Sequence, residues 1–265
     1  MTATLFPVPP AMAARLGGTP CVVMLDVDGT LAPIAPRPEA AEVPPETRRV
    51  VAALAARDGV HVVLVSGRAA NDARRLVSVD GAWVIGNHGF EVLSPNGEEV
   101  IDPEVASTRP LIAQAADRIA PQVEYVPGVI LEDKGWTLSI HYRLADAGVL
   151  PRLRAVVEEA ALPLGLRVTD GKKVIEVRPS TRIDKGTAVL SLGTRLGGLR
   201  EGGSLIFIGD DRTDEDAFRA LRDHSPDAVT VRVIHDEDAQ TSAEFTLRDT
   251  AEVRAFLEWL LELRS

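Results

Sequence analysis

Cysteine is almost absent, with Cys21 the only one in 265 residues. A single thiol excludes an intramolecular disulfide and any zinc site built from several cysteines, and it fits a reducing compartment. Positive charge is also scarce: 29 Lys and Arg face 39 Asp and Glu, a net charge of −10. A general nucleic-acid binder is excluded, because such a surface repels phosphate backbones. No apolar run approaches the ~20 residues that cross a bilayer. The opening residues MTATLFPVPPAMAARLGG lack the positive segment and apolar stretch of a signal peptide. The expected setting is cytoplasmic, without membrane or nucleic-acid partners, as a monomer or small oligomer. Against these absences, 45% of the residues are apolar, which rules out general disorder. The length suffices for one large core or two smaller ones.

Three short apolar runs each end in a polar cluster. Cys21–Leu25 runs into Asp26, Val62–Val65 into Ser66-Gly67-Arg68, and Leu205–Ile208 into Gly209-Asp210-Asp211. Unbroken runs of this length suit strands buried on both faces of a parallel sheet. Helical patterns at Glu46–Arg57 and Ala69–Val77 separate them, so the expected fold is α/β, a doubly wound, Rossmann-like parallel sheet. Ligands bind beyond the carboxyl ends of such strands, where the polar clusters fall. The closing stretch Thr250–Arg264 places Val253, Phe256, Leu257, Leu260 and Leu261 on one helical stripe.

The middle of the chain reads differently. Helical patterns near Leu111–Ile119 and at Leu150–Ala161 alternate with strand-like stretches at Val123–Lys134, Trp136–Arg143 and Leu166–Pro179. Gly135 suits a tight turn between two strands, and Asp170-Gly171 suits a hairpin turn. Residues 107–181 are therefore expected to form an inserted α+β module, leaving 1–106 and 182–265 as the core.

Asp26 and Asp28, two apart at the end of a strand, are expected on one face, with Gly29 permitting a sharp turn after them. Two like charges this close are costly unless a cation or proton lies between them. A second acidic group comprises Asp210, Asp211, Asp214 and Asp216. Hard oxygen donors without His or Cys favour Mg2+ over zinc. Helix caps and first-turn acids are the competing explanation for these aspartates. Ser66 alone reads equally as a turn residue, and Lys185 alone as a solvated surface lysine.

Asp26-Val-Asp28-Gly-Thr-Leu, Ser66-Gly67-Arg68, Lys185 and Gly209-Asp210-Asp211-Arg-Thr-Asp214, in this order, resemble the four motifs of the haloacid dehalogenase superfamily. The resemblance implies an aspartyl-phosphate formed on Asp26, with Asp28 as general acid and base. It also implies Mg2+ held by Asp26, the backbone carbonyl of Asp28 and Asp210. Asp214 belongs to the same metal set, supporting the metal shell or Lys185 rather than ligating directly. Lys185 and the Ser66 hydroxyl then supply the positive, donor-rich side that a phosphate needs, and Gly67 and Arg68 line the substrate.

Glu132-Asp-Lys134-Gly-Trp-Thr-Leu-Ser-Ile-His141, Gly171-Lys-Lys-Val-Ile-Glu176-Val-Arg178 and Asn87-His88-Gly89-Phe-Glu91 are similar to segments of the trehalose-6-phosphate phosphatases. This resemblance implies an inserted cap in which Glu132, Lys134 and Glu176 grip sugar hydroxyls, with Asn87, His88, His141 and Arg178 as further contacts. By pattern alone, the same inserted strands describe a sheet with one solvated face. The implied activity is Mg2+-dependent hydrolysis of trehalose 6-phosphate. Its alternatives are a phosphatase for another sugar phosphate, such as sucrose phosphate or a glucosyl-glycerate phosphate, and a catalytically silent regulatory domain. A kinase or NTPase reading fails because G-x-x-x-x-G-K-[ST] is missing.

Overall fold

The computed structural model describes residues 3–100, 103–171, 173–235 and 240–265. The chain divides into two compact units, one spanning 1–100 with 183–265, the other 101–182. Strands in chain order are β1 (Ala3–Thr4), β2 (Cys21–Asp26), β3 (Val60–Val65), β4 (Trp83–Gly86), β5 (Glu91–Leu93) and β6 (Glu99–Val100). The second unit contributes β7 (Ile130–Asp133), β8 (Leu138–His141), β9 (Arg167–Gly171) and β10 (Val174–Arg178). The first unit resumes with β11 (Ser204–Gly209), β12 (Val229–Val233) and β13 (Phe245–Leu247).

The first unit is an α/β structure built on one sheet, ordered β1-β13-β12-β11-β2-β3-β4-β5-β6 among the described residues. Pairing is parallel from β1 to β4 and antiparallel across β4-β5-β6. The apolar runs are continuous because both sheet faces are covered. In β2, Cys21, Val23 and Leu25 enter one buried cluster, and Val22 and Met24 enter the other. In β11, Ile206 and Ile208 divide from Leu205 and Phe207 in the same way. The helix Thr250–Leu263 begins where Asp249 accepts the Glu252 N–H at 2.9 Å, and it buries Val253, Phe256, Leu257 and Leu260. Leu261 is only partly buried, packing at the edge of that cluster.

The second unit has an antiparallel sheet, ordered β7-β8-β10-β9. Its apolar face carries Leu138, Ile140, Ile175 and Val177, covered by Ile112, Ala115 and Ile119 of one helix and Leu153 and Val157 of another. Two expectations shift here. The helix near Leu111–Ile119 runs from Arg109 to Val123, passing through Pro121, so strand structure begins at Ile130 rather than Val123. The proline forfeits only its own N–H bond to the carbonyl four residues back, and the helix ends two residues later. The hairpin turn also lies later than Asp170-Gly171. These two residues end β9, Gly171 pairs with Val174, and Lys173 takes the left-handed conformation at φ 66°. Lys172 of the same motif, like Met1 and Thr2, lies outside the described residues.

Candidate active site

The carboxyl ends of β2, β3 and β11 are brought level by their pairing. Asp26 pairs with Val65, and Leu25 with Ile208. Asp26, Ser66 and Asp210 therefore emerge on one rim of the sheet. Lys185 reaches them from the first position of the helix Lys185–Arg195, whose start is fixed by a capping box between Asp184 and Thr187. A cation at a helix N-terminus opposes the helix dipole, so this lysine depends on acids from elsewhere. Its Nζ donates to Asp26 Oδ1 and to Asp214 Oδ1, both at 2.8 Å, and lies 4.0 Å from Asp211 Oδ1.

The acids outnumber that cation. Ligand atoms of Asp26, Asp210 and Asp214, all from the first unit, lie within 4.8 Å of one another. Burial pushes the Asp26 carboxyl well above the usual range; Lys185 opposes the rise and Asp214 and Asp210 add to it. Asp210 is pushed up to about 8 by burial and the neighbouring Asp214 and Asp211, and Asp214 to about 7 by burial against the pull of Lys185. Burial also disfavours the Lys185 charge, but Asp214, Asp26 and Asp211 outweigh it and raise this group well above the ordinary lysine value. One ammonium among these carboxylates leaves excess negative charge, which a divalent cation offsets. Asp210 Oδ1 is buried without a hydrogen-bond partner among the described residues, as an oxygen reserved for such an ion would be. The donor set is all hard oxygen, which suits Mg2+.

Asp214 uses both oxygens differently. Oδ1 accepts from Lys185, and Oδ2 accepts the backbone N–H groups of Asp210 and Asp211 at 2.9 and 3.0 Å. It is a buried brace for the lysine and for the turn carrying Asp210. Asp211 serves the helix start, accepting from the N–H groups of Thr213 and Asp214 at 2.8 and 3.0 Å.

Asp28 departs from the expected geometry. β2 ends at Asp26, and Asp28 sits beyond it at an isolated bridge to Ala32, so strand alternation does not place the two carboxylates on one face. The Asp28 carboxylate instead accepts from Arg68 in a two-pronged pair, Nε–Oδ2 2.6 Å and Nη2–Oδ1 2.7 Å. Arg68, expected at the substrate, thus meets Asp28. Ser66 Oγ accepts the Arg68 N–H at 3.1 Å. The loop after β4 is stitched to this segment: Asn87 N–H donates to Arg68 O at 2.7 Å and His88 N–H to Ser66 O at 3.1 Å. Gly67 is required by close approach, since a Cβ there would come within 2.5 Å of the His88 ring.

In the second unit, Glu132 pairs with Ser139 and Ser139 with Glu176 across three strands, so these polar groups share the face opposite the apolar one. Glu132 Oε2 lies 2.8 Å from His141 Nε2 and 3.8 Å from Lys134 Nζ, and Arg178 donates to Glu176.

Two residues escaped the sequence reading. Glu91, buried at the start of β5, accepts the Ala70 N–H at 2.5 Å and the Asn87 side-chain amide at 2.8 Å. His235 approaches Gly29 and Asp210. Its place just past a strand end is the one sequence signal it shares with Asp26 and Asp210.

Comparison with known proteins adds the family. The family model described as trehalose-phosphatase matches residues 24–251. An uncharacterised glycosyl hydrolase of Mycobacterium tuberculosis (strain CDC 1551) is 38% identical over 248 residues, covering 92% of this chain and 18% of that protein. The trehalose-phosphate phosphatase of Mycobacterium avium is 36% identical over 256 residues, covering 94% of this chain and 64% of that protein. The chain thus spans less than two thirds of the length of these relatives. A solved structure of a trehalose-6-phosphate phosphatase related protein superposes with a TM-score of 0.78 at 28% identity, covering 91% of this chain and 97% of that one. The fold is shared with haloacid dehalogenase-like hydrolases.

Proposed function

The chain belongs to the trehalose-phosphatase family, and on that premise we propose that it hydrolyses trehalose 6-phosphate to trehalose and phosphate, with Mg2+ and through Asp26. The observation that carries the reading is the Asp26 carboxylate at the end of β2, one oxygen 2.8 Å from the buried Lys185 ammonium. Beside it lies Asp210, with an oxygen that has no hydrogen-bond partner among the described residues. Asp26, Asp210 and the backbone carbonyl of Asp28 would hold the ion, which offsets the repulsion between a carboxylate and a phosphate dianion.

In the first step an Asp26 oxygen bonds to phosphorus as the bond from phosphorus to the 6-oxygen of the sugar breaks. Asp28 gives its proton to that departing oxygen. In the second step water attacks phosphorus, the Asp26–phosphorus bond breaks, and Asp28 takes the proton from the water. Lys185 steadies the negative charge on Asp26 and the transferring group, and the Ser66 hydroxyl donates to a phosphate oxygen. Asp28 has to leave its pair with Arg68 to reach the leaving oxygen. The second unit serves as a cap, with Glu132, Lys134 and Glu176 gripping the sugar and His141 and Arg178 beside them. A lone buried Cys21 fits a cytoplasmic setting, and no helix among the described residues is long and apolar enough to cross a membrane.

Phosphate release from a panel of sugar phosphates tests the assignment. Turnover is expected with trehalose 6-phosphate above sucrose and glucosyl-glycerate phosphates. Equal turnover of all three removes the trehalose assignment, and no turnover of any leaves the silent-domain reading.

A further inference from the structure

His235 follows β12 and is 206 positions from Gly29 along the chain, yet its Nε2 lies 3.0 Å from the Gly29 carbonyl oxygen. A carbonyl only accepts, so Nε2 carries the hydrogen and the imidazole is the donor. The same nitrogen is 3.4 Å from Asp210 Oδ2. Gly29 itself is in contact with that carboxylate: at φ +87°, a Cβ there would come within 2.1 Å of Asp210 Oδ2. One N–H therefore faces both the turn that follows Asp28 and one oxygen of Asp210. The other oxygen of Asp210, Oδ1, stays buried and without a hydrogen-bond partner among the described residues.

The geometry points to His235 as a positioning residue for the divalent-cation site, clamping the Asp28-Gly29 turn against Asp210 so that both present oxygens to one ion. The inference rests on the Mg2+-dependent reading above and adds a residue to it. Ligating carboxylates need partners that fix their orientation, and such outer partners govern metal affinity as well as geometry. His235 is suited to the task because its Nε2–H faces Oδ2 as a donor and leaves Oδ1 to the ion. Its side chain is 32% exposed, so replacing it opens no core cavity.

Mg2+ binding to the whole chain without substrate, followed by isothermal titration calorimetry, separates this role from a purely structural one. His235→Ala is expected to weaken Mg2+ by about 10-fold to 100-fold. His235→Gln, whose amide nitrogen reaches as far as Nε2, is expected to recover most of that loss. His235→Asn, whose nitrogen falls a methylene short, is expected to stay weak. Unchanged Mg2+ affinity in His235→Ala, with or without a lower melting temperature, overturns the inference. Gln and Asn variants equally weak overturn the hydrogen-bond role. A wild-type chain that binds no Mg2+ removes the cation reading itself, and the inference falls with it.

Discussion

Lys185 and Asp214 form an ion pair closed off from solvent, Nζ 2.8 Å from Oδ1 with side chains 1% and 0% exposed. The two residues open different helices, Lys185–Arg195 and Asp214–His224. A first-turn aspartate is favoured by the helix dipole, and a first-turn lysine is not. The pair therefore fixes an otherwise unfavourable cation beside Asp26.

Removing that cation should expose what the pair contributes. Lys185→Met leaves Asp26 and Asp214 buried without their shared partner, and breaking such a pair costs about 3–5 kcal/mol. Urea unfolding is expected to show a loss of that order, together with a kcat reduced by at least about 100-fold. A methionine variant as stable as the parent would show that the acids do not need the ammonium.

Asp26→Asn separates chemistry from stability. The folded protein already disfavours charge on Asp26, because burial raises its carboxyl well above the usual range, so a neutral amide of the same shape should be tolerated. The melting temperature is expected to remain within about 2–4 °C of the parent, a change of about 1 kcal/mol or less. Turnover of trehalose 6-phosphate is expected to vanish. Residual activity within about tenfold of the parent would exclude Asp26 as nucleophile.

Glu91 carries a pH signature of its own. Burial raises its carboxyl, and the hydrogen bonds from Ala70 and Asn87 only partly counter this. A group that holds its proton more tightly when folded contributes stability below its unfolded pKa. That contribution is lost as pH rises through the folded value. Relative to Glu91→Gln, which does not titrate, the parent should therefore lose stability over the pH range that begins at the ordinary glutamate value of about 4.3 and runs upward. Urea midpoints of both proteins across this range check the sign; a constant or rising difference would refute it.

How much of this was legible from sequence depends on how far each contact reaches along the chain. Asp26, Ser66 and Asp210 could be grouped because each closes an apolar run, and parallel pairing brings such ends together. The doubly wound core followed from the same runs. The Arg68–Asp28 pair was not legible, since alternation was applied one residue pair past the actual end of β2. Glu91 lay inside a quoted motif, yet its role emerges only when it meets the Ala70 N–H at the start of the helix Ala70–Val77. His235 had no local signal beyond its strand end, because its partners lie on two other strands' loops. The hairpin after β9 shifted because Lys173, not Gly171, supplies the left-handed residue.

The sugar recognition proposed for one row of the second unit is testable without touching the phosphate chemistry. Glu132 is within 2.8 Å of His141 and 3.8 Å of Lys134, so it can both accept from a hydroxyl and orient its neighbours. Losing a hydrogen bond to a charged group costs about 1.5–3 kcal/mol, or about 10-fold to 100-fold. Glu132→Ala and Glu176→Ala are expected to lower kcat/KM for trehalose 6-phosphate by that factor, chiefly through KM. Arg154 provides the contrast within the same unit. It pairs with Asp170 and Glu158 at the surface, where ion pairs count for little, and Arg154→Ala should change kcat/KM by no more than about twofold. If Arg154→Ala and Glu132→Ala behave alike, the row does not read the sugar, and specificity has to come from elsewhere in the chain.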